Sequence, residues 1–341
     1  MIDAAVQPQA VGVIVIGRNE GERLRRCLVS VVSPGRSIVY VDSGSTDGSV
    51  ALAQSMGVEV VELQIGKGFT AARARNAGFD RLMQISSQIA YVQFVDGDCE
   101  VASGWLSHAA RTLAEQSDLA VVCGRRRERF PDASIYNRLC DLEWDTRPGE
   151  ATECGGDAMM RVIAFRAVGG FDSKLIAGEE PELCVRLRAA GWKILRLDTE
   201  MTLHDAAMTR FGQWWNRNRR AGHAFAEGSA LHGQSPARHW VRQARSNDIW
   251  GAALPLAAIA FAWPTRGLSI AVAIALYILL TARIFVSGHR NKRAASDAAV
   301  FAFFCTFGKF PQVLGQFQYR AGARFGQHAG LIEYKSTALR H

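Results

Sequence analysis

Residues Ala90 to Glu100, AYVQFVDGDCE, carry an apolar run straight into two carboxylates separated by one glycine. Tyr91-Val92-Gln93-Phe94-Val95 reads as a buried strand, and Asp96-Gly97-Asp98 stands where it ends. In open α/β sheets ligands bind beyond the carboxyl ends of the strands, so this is where acidic side chains meet a substrate. Two aspartates flanking a glycine can place oxygen ligands on one divalent cation, which in turn neutralises a diphosphate. An acidic turn that only closes a strand has the same residues, so the surrounding chain decides.

Upstream, Val11 to Ile16 is an apolar strand, followed by Gly17-Arg18-Asn19-Glu20 and a helical pattern with Leu24, Leu28 and Val31 on one face. Ile38 to Val41 is a second strand that ends in the turn-rich segment 42–48, where Asp47 is placed to cap a helix through Met56. Val58 to Leu63 is a third strand, and Gly66-Lys67-Gly68 leads into a helix carrying Arg73, Arg75 and Asn76. Strands alternating with helices at this spacing predict a mostly parallel α/β sheet with right-handed crossovers. The loops after the first, second and fourth strands then open on one edge. No G-x-G-x-x-G follows the first strand and no Walker A lysine motif is present, which demotes a nicotinamide enzyme or a P-loop ATPase. Downstream, Ser103 is placed to cap a helix through Gln116, and Ala120 to Cys123 returns as a strand. Arg125-Arg126-Arg127-Glu128-Arg129 reads as a solvated basic turn, with contact to a diphosphate or an anionic acceptor as its functional alternative.

A chain of 341 residues has room for one large or two ordinary domains, and its formal charge of +8 suggests an anionic partner. Seven cysteines are scattered without a Cys-x-x-Cys pair, which argues against a zinc site or disulfide framework and for a reducing compartment. The segment MIDAAVQPQA lacks a basic start followed by an apolar core, so no cleaved signal peptide is expected and the bulk of the chain is placed in the cytoplasm.

Taken together, Asn19-Glu20, VDSGSTDGS at 41–49, Gly66-Lys67-Gly68 with Arg75-Asn76, Asp96-Gly97-Asp98, GGFD at 169–172 and GEEPELCVRLRAAGW at 178–192 resemble family 2 glycosyltransferases. The resemblance covers about residues 10–205 and implies the GT-A fold, an inverting reaction, a nucleotide-sugar donor of the UDP class and a Mg2+ or Mn2+ cofactor. It implies that Asn19, Glu20 and Asp42 hold the nucleoside, that Lys67 and Arg75 lie near the nucleotide, and that Asp96 lies near the ribose or sugar. Asp98 is then the principal metal ligand, and His204 matches a histidine that helps hold the metal or diphosphate. Glu180 occupies the position of the catalytic base, with Glu179 beside it, although the family pair is Glu-Asp and this chain has Glu-Glu followed by Pro181. A carboxylate at a helix N-terminus is favoured in the charged form that a base needs. Gly155, Gly156 and Asp157 are expected between the two sites, in the pocket for the donor or acceptor sugar.

From Thr209 to Asp248 seven arginines face only Glu227 and Asp248, with Trp214, Trp215 and Trp240 interleaved. Such an arm suits either nucleic acid bases or a lipid headgroup surface. The apolar segments that follow favour lipid, and no nucleic acid partner is expected. Leu268 to Val286 has the length to cross a bilayer core, whereas Ile249 to Trp263 falls short of ~30 Å at ~1.5 Å per residue and reads as re-entrant unless its flanks help. Ala298 to Phe317, interrupted by Lys309 and Pro311, reads as an interfacial helix. The chain divides on this reading into a catalytic domain at 1–208, a basic aromatic amphipathic arm at 209–248, a transmembrane or re-entrant helical hairpin at 249–287, and a basic loop, interfacial helix and tail at 288–341. The whole reads as a membrane-associated enzyme on the cytoplasmic face of a bacterial inner membrane, acting on a cell-envelope glycan or lipid-linked acceptor. A processive polysaccharide synthase and an inactive nucleotide-sugar-binding scaffold are the alternatives.

Overall fold

The run at 91–95 forms the expected strand, with further strands on both sides of it, in a computed structural model that describes residues 10–64, 69–291 and 293–325. The strands are β1 (Val11–Gly17), β2 (Ile38–Asp42), β3 (Glu59–Glu62), β4 (Tyr91–Asp96), β5 (Cys99–Val101), β6 (Leu119–Glu128), β7 (Gly149–Glu150), β8 (Ala158–Arg161) and β9 (Lys193–His204). They form one sheet in the order β3-β2-β1-β4-β8-β6-β9-β5, with β7 beside β9. β1 to β4 pair in parallel, so their carboxyl ends share an edge. Val13, Ile14 and Val15 of β1 have no exposed surface. A strand covered on both faces is apolar throughout instead of alternating, which is why 11–16 reads as an unbroken run. α1 (Glu22–Val31) turns Leu24, Cys27, Leu28 and Val31 inward at helical spacing. α2 (Ser49–Ser55) and α3 (Ala71–Ile85) return the chain to β3 and β4. α4 (Trp105–Glu115), α5 (Ile135–Trp144), α6 (Val162–Ala167) and α7 (Glu179–Ala189) follow.

The other half of the sheet departs from the parallel expectation. β8 runs antiparallel to both β4 and β6, and β5 and β7 run antiparallel to β9, so the sheet is mixed. Only Gly97 and Asp98 separate β4 from β5, far too short a link for a parallel crossover, and the chain turns across to β9 instead. Nor is 125–129 a turn. β6 continues to Glu128, with Arg126 opposite Thr202 and Glu128 opposite His204. Successive side chains of a strand point to opposite faces, so the charges divide: Arg125 meets Asp145, Arg127 meets Glu200 at 2.9 Å, and Arg126 turns inward. The helix caps also differ. α2 and α4 are entered through left-handed glycines, Gly48 and Gly104, which leaves Asp47 and Ser103 one residue too early to cap. Asp47 instead accepts the Ser49 N–H at 3.1 Å.

The chain forms two compact units, one of residues 1–129 and 144–206, the other of 130–143 and 207–341. The segment 130–143 thus groups with the second unit, where the sequence reading keeps it in the first. The second unit adds α8 (Phe211–His232), α9 (Val241–Asp248), a π-helical turn (Ile249–Ala253), α10 (Leu254–Ala260), α11 (Leu268–Arg290), α12 (Ala295–Phe307) and α13 (Lys309–Arg324). Trp214 is buried against Phe304 and stacked on Phe307, so it is core and not a platform for bases or lipid. Leu256, Ile259, Trp263, Ile274 and Ile278 are exposed along α10, the turn after it and α11. α11 and the stretch Ala295–Arg324 are long and apolar enough to cross a membrane; the first is almost entirely unburied and the second nearly half buried.

α13 packs along α8 through two glycines. A Cβ on Gly222 would stand 1.9 Å from the Gln312 carbonyl oxygen, and one on Gly315 would stand 1.9 Å from that of Arg219. Neither backbone can shift without breaking a helix, so Gly222→Ala and Gly315→Ala should each cost about 3 kcal/mol by overpacking. Gly212→Ala, at a helical position with open space around it, should leave stability unchanged or raise it. Thermal melting of the three variants checks this; equal midpoints for all three would refute the close packing.

Candidate active site

The sheet register sets the site. β1 places Gly17 opposite Asp42 of β2 and Ile16 opposite Asp96 of β4, so three loops open side by side. The first two are laced together. Asn19, in the left-handed region at φ 55, accepts the Thr46 N–H at 2.7 Å and donates its own N–H to Ser45 Oγ at 2.9 Å. The Gly21 N–H reaches Asp47 Oδ2 at 2.9 Å. Asp42 is buried, with Oδ1 accepting the Tyr40 hydroxyl at 2.9 Å and Oδ2 accepting the Gly44 and Ser45 N–H groups at 2.8 Å. Burial and the Asp42 charge raise the pKa of Tyr40, which keeps its hydroxyl a donor. Glu20, also buried, pairs with Arg23 at 2.8 Å.

At the end of β4 the carboxylates alternate with guanidinium groups. Arg75 of α3 is buried and bridges Asp96 Oδ1 at 2.8 Å and Glu179 Oε1 at 2.6 Å. Arg126 meets Asp96 Oδ2 at 3.1 Å and Asp157 Oδ2 at 2.6 Å. Burial disfavours each guanidinium charge, but the facing carboxylates outweigh it and raise both pKa values, so Arg75 and Arg126 stay charged. Asp157 has no exposed surface; it accepts the Asp96 N–H at 2.9 Å and the Thr202 hydroxyl at 2.8 Å besides Arg126. The sequence reading expects it in the sugar pocket; here it has no exposed surface to offer a sugar. With donors on both oxygens it holds the Asp96 backbone in place. Gly156 lies against the Arg75 guanidinium, where a Cβ would come within 2.7 Å of Nη2, while Gly155 is exposed.

Asp98 and His204 come together because Cys99 of β5 pairs with His204 of β9. Asp98 Oδ2 lies 3.2 Å from His204 Nε2, and Glu128 Oε2 lies 3.4 Å from Nδ1. Burial opposes the imidazolium, but Asp98 and Glu128 outweigh it and raise the pKa of His204. A carboxylate oxygen and an imidazole nitrogen this close suit one shared divalent cation, with Glu128 fixing the ring by accepting from Nδ1–H. Trp144 stands edge-on to the imidazole at 4.7 Å and under the Arg126 guanidinium at 5.3 Å. The residues present therefore fit a cation of the Mg2+ or Mn2+ class.

Glu179 and Glu180 open α7 and point to different neighbours. Glu179 joins Arg75, as above. Glu180 is buried, and its Oε1 accepts the Cys154 N–H at 2.6 Å and the Cys154 and Cys184 thiols at 2.9 Å each. Among the described residues no donor meets its Oε2. Lys67 lies outside the described residues.

Four residues around the site carry no clear role in the sequence reading. Arg126 and Glu128 enter it only as members of a basic run, though their spacing of two puts them on one face of a strand. Cys154 and Cys184 are thirty positions apart in the chain, and only the fold joins them.

A family model for glycosyl transferase family 2 matches residues 12–168. An uncharacterized glycosyltransferase of Mycobacterium bovis is 30% identical over 197 residues, covering 55% of this chain and 84% of its own. The succinoglycan biosynthesis protein ExoA of Rhizobium meliloti is 27% identical over 226 residues, covering 62% of this chain and 67% of its own. In structure the chain is similar to the mannosyltransferase PcManGT from Pyrobaculum calidifontis in complex with GDP-Man and Mn2+. The TM-score is 0.60 at 18% identity, over 93% of this chain and 90% of that one. The register that gathers Asp42, Asp96 and Asp98 at one sheet edge and the relatives that share the chain lead to one statement: this protein belongs to family 2 of the glycosyltransferases and is an enzyme of the GT-A fold.

Proposed function

We propose that the enzyme moves a sugar from a nucleotide-sugar donor to a hydroxyl of a cell-envelope glycan or lipid-linked acceptor, inverting the anomeric carbon, at the cytoplasmic face of a membrane entered by α10 and α11. The observation that carries this reading is the Arg75 bridge, which ties Asp96 at the end of β4 to Glu179 at the start of α7. It brings the carboxylates of the donor side and the acceptor side into one neighbourhood. The relatives add support: ExoA is a succinoglycan biosynthesis protein, and PcManGT was captured with GDP-Man and Mn2+.

The laced loops after β1 and β2, with Asn19, Glu20 and Asp42, hold the nucleoside; Asp42 acts by shaping its loop, since Tyr40 of β2 and the loop's own N–H groups occupy its two oxygens. Asp98 and His204 hold a divalent cation, which when bound offsets charge on the departing diphosphate. Arg75 and Arg126 keep Asp96 aimed at the sugar or ribose. Glu180 takes the acceptor proton at Oε2 while the donors on Oε1 fix its plane. Attack from the face opposite the leaving group inverts the configuration. The exposed apolar surface of α10 and α11 supports membrane association and an acceptor delivered at that surface.

Diphosphate released from a panel of nucleotide sugars, with and without manganese, provides the assay. Glu180→Gln should lower kcat by about 10²–10⁴-fold, the usual worth of general-base catalysis, with donor affinity retained. Glu179→Gln should act mainly on the KM for donor, because it removes one of the two partners of Arg75. A Glu180→Gln enzyme at wild-type rate would overturn the assignment of the base. Asp98→Ala and His204→Ala should each weaken Mn2+ binding, measured by calorimetry, and Asp98→Ala should lose activity by at least about 100-fold, since the cation supplies several kcal/mol. Manganese affinity equal to wild type in both variants would remove these residues from the metal site.

A further inference from the structure

Cys154, Cys184 and Glu180 form a second, separate group of ligand atoms, buried and all within 4.8 Å of one another. The two sulfurs are 3.7 Å apart, and each is 2.9 Å from Glu180 Oε1. A point about 2.2 Å from all three atoms lies about 1.1 Å to one side of their plane, within the ~2.0–2.3 Å range of zinc–oxygen and zinc–sulfur bonds. Two sulfurs bound to one tetrahedral ion stand about 3.7 Å apart, which is the separation already present. The donor set is soft, unlike the oxygen and nitrogen pair of Asp98 and His204, so the two sites sort cations by type. We propose that Cys154, Cys184 and Glu180 bind one thiophilic divalent cation of the zinc class, separately from the cation at Asp98 and His204.

Burial holds both thiols protonated at neutral pH and pushes Cys184 up to about 12. Binding therefore breaks two S–H bonds, forms two metal–thiolate bonds and releases two protons to solvent. The group is reached from the side of Gly155 and Glu153, both exposed. Desolvation, and after it the Glu180 charge, push the Glu153 carboxyl up to about 7. The bound ion takes Oε1 of the carboxylate proposed as the catalytic base and draws charge from Oε2, which lowers its basicity and slows transfer. That consequence alone rests on the function proposed above.

The test uses the full chain in detergent, reduced with a phosphine and stripped of metal, and titrated with cadmium. Wild type should develop thiolate-to-cadmium charge-transfer absorption at one ion per chain, release two protons per ion, and keep the ion in a hundredfold excess of manganese. The double variant Cys154→Ser/Cys184→Ser, which retains the other five cysteines, should lose the absorption. Cys184→Ser alone should weaken binding by more than about 100-fold, beyond what the loss of an outer partner costs. Absence of the band in wild type, its survival in the double variant, or displacement by manganese would each overturn the proposal. Alkylation of wild type read by mass spectrometry needs no variant: cadmium should protect Cys154 and Cys184 together, and failure to protect them overturns it equally. None of these readouts depends on sugar transfer, so a failure here and a failure of the base assignment are distinguishable.

Discussion

The Arg75 guanidinium is the joint on which the site depends. It is 3% exposed, too deep for water to satisfy, and it keeps its charge because Asp96 and Glu179 face it from two directions. Those carboxylates come from the end of a strand and the start of a helix far apart in the chain, so one buried cation sets the distance between them. Arg126 repeats the arrangement one layer lower, between Asp96 and the inaccessible Asp157. Removing one member of a buried charge pair commonly costs ~3–5 kcal/mol because its partner is left uncompensated. The same rule makes the whole row resistant to drift: no single side chain can leave without stranding another.

Much of this was legible before any coordinates. The apolar runs at 11–16, 38–41 and 91–95 read as strands because burial on both faces removes polar residues from them, and their order gave the edge where the loops gather. Asp98 and His204 emerged as a pair through family resemblance, whereas their meeting depends on β5 lying antiparallel to β9, a non-local pairing that no local pattern announces. The mixed half of the sheet was illegible for the same reason. Arg125 to Arg129 misled because a charge run is ordinarily solvated; only the facing carboxylates of Asp145, Asp157, Glu200 and Glu100 explain why it stays in a sheet. The resemblance puts Asp157 in the sugar pocket with Gly155 and Gly156, whereas its partners Thr202 and Arg126 come from across the sheet, which no local pattern announces.

In the second unit, composition identified the apolar segments but not how each is used. α11 leaves its apolar side chains outward, whereas nearly half of the stretch after it is buried, with Phe304 and Phe307 on Trp214 of α8. The tryptophans of the basic arm divide in the same way: Trp214 is enclosed by phenylalanines, and Trp240 lies on His239 and Phe225. Aromatic content near arginines says that a surface is amphipathic; which rings face inward is decided by packing partners distant in sequence.

The cross-links between the first two loops have a thermodynamic corollary. Asn19 sits in a left-handed conformation that an asparagine tolerates better than most residues, and its side chain closes onto Thr46 of the second loop. Ordering a loop residue costs ~1–2 kcal/mol of conformational entropy, and here that loss is taken at folding. On the role proposed above for these loops, a nucleoside entering between them meets a rim that is already shaped, and little of its affinity is consumed in freezing the chain around it.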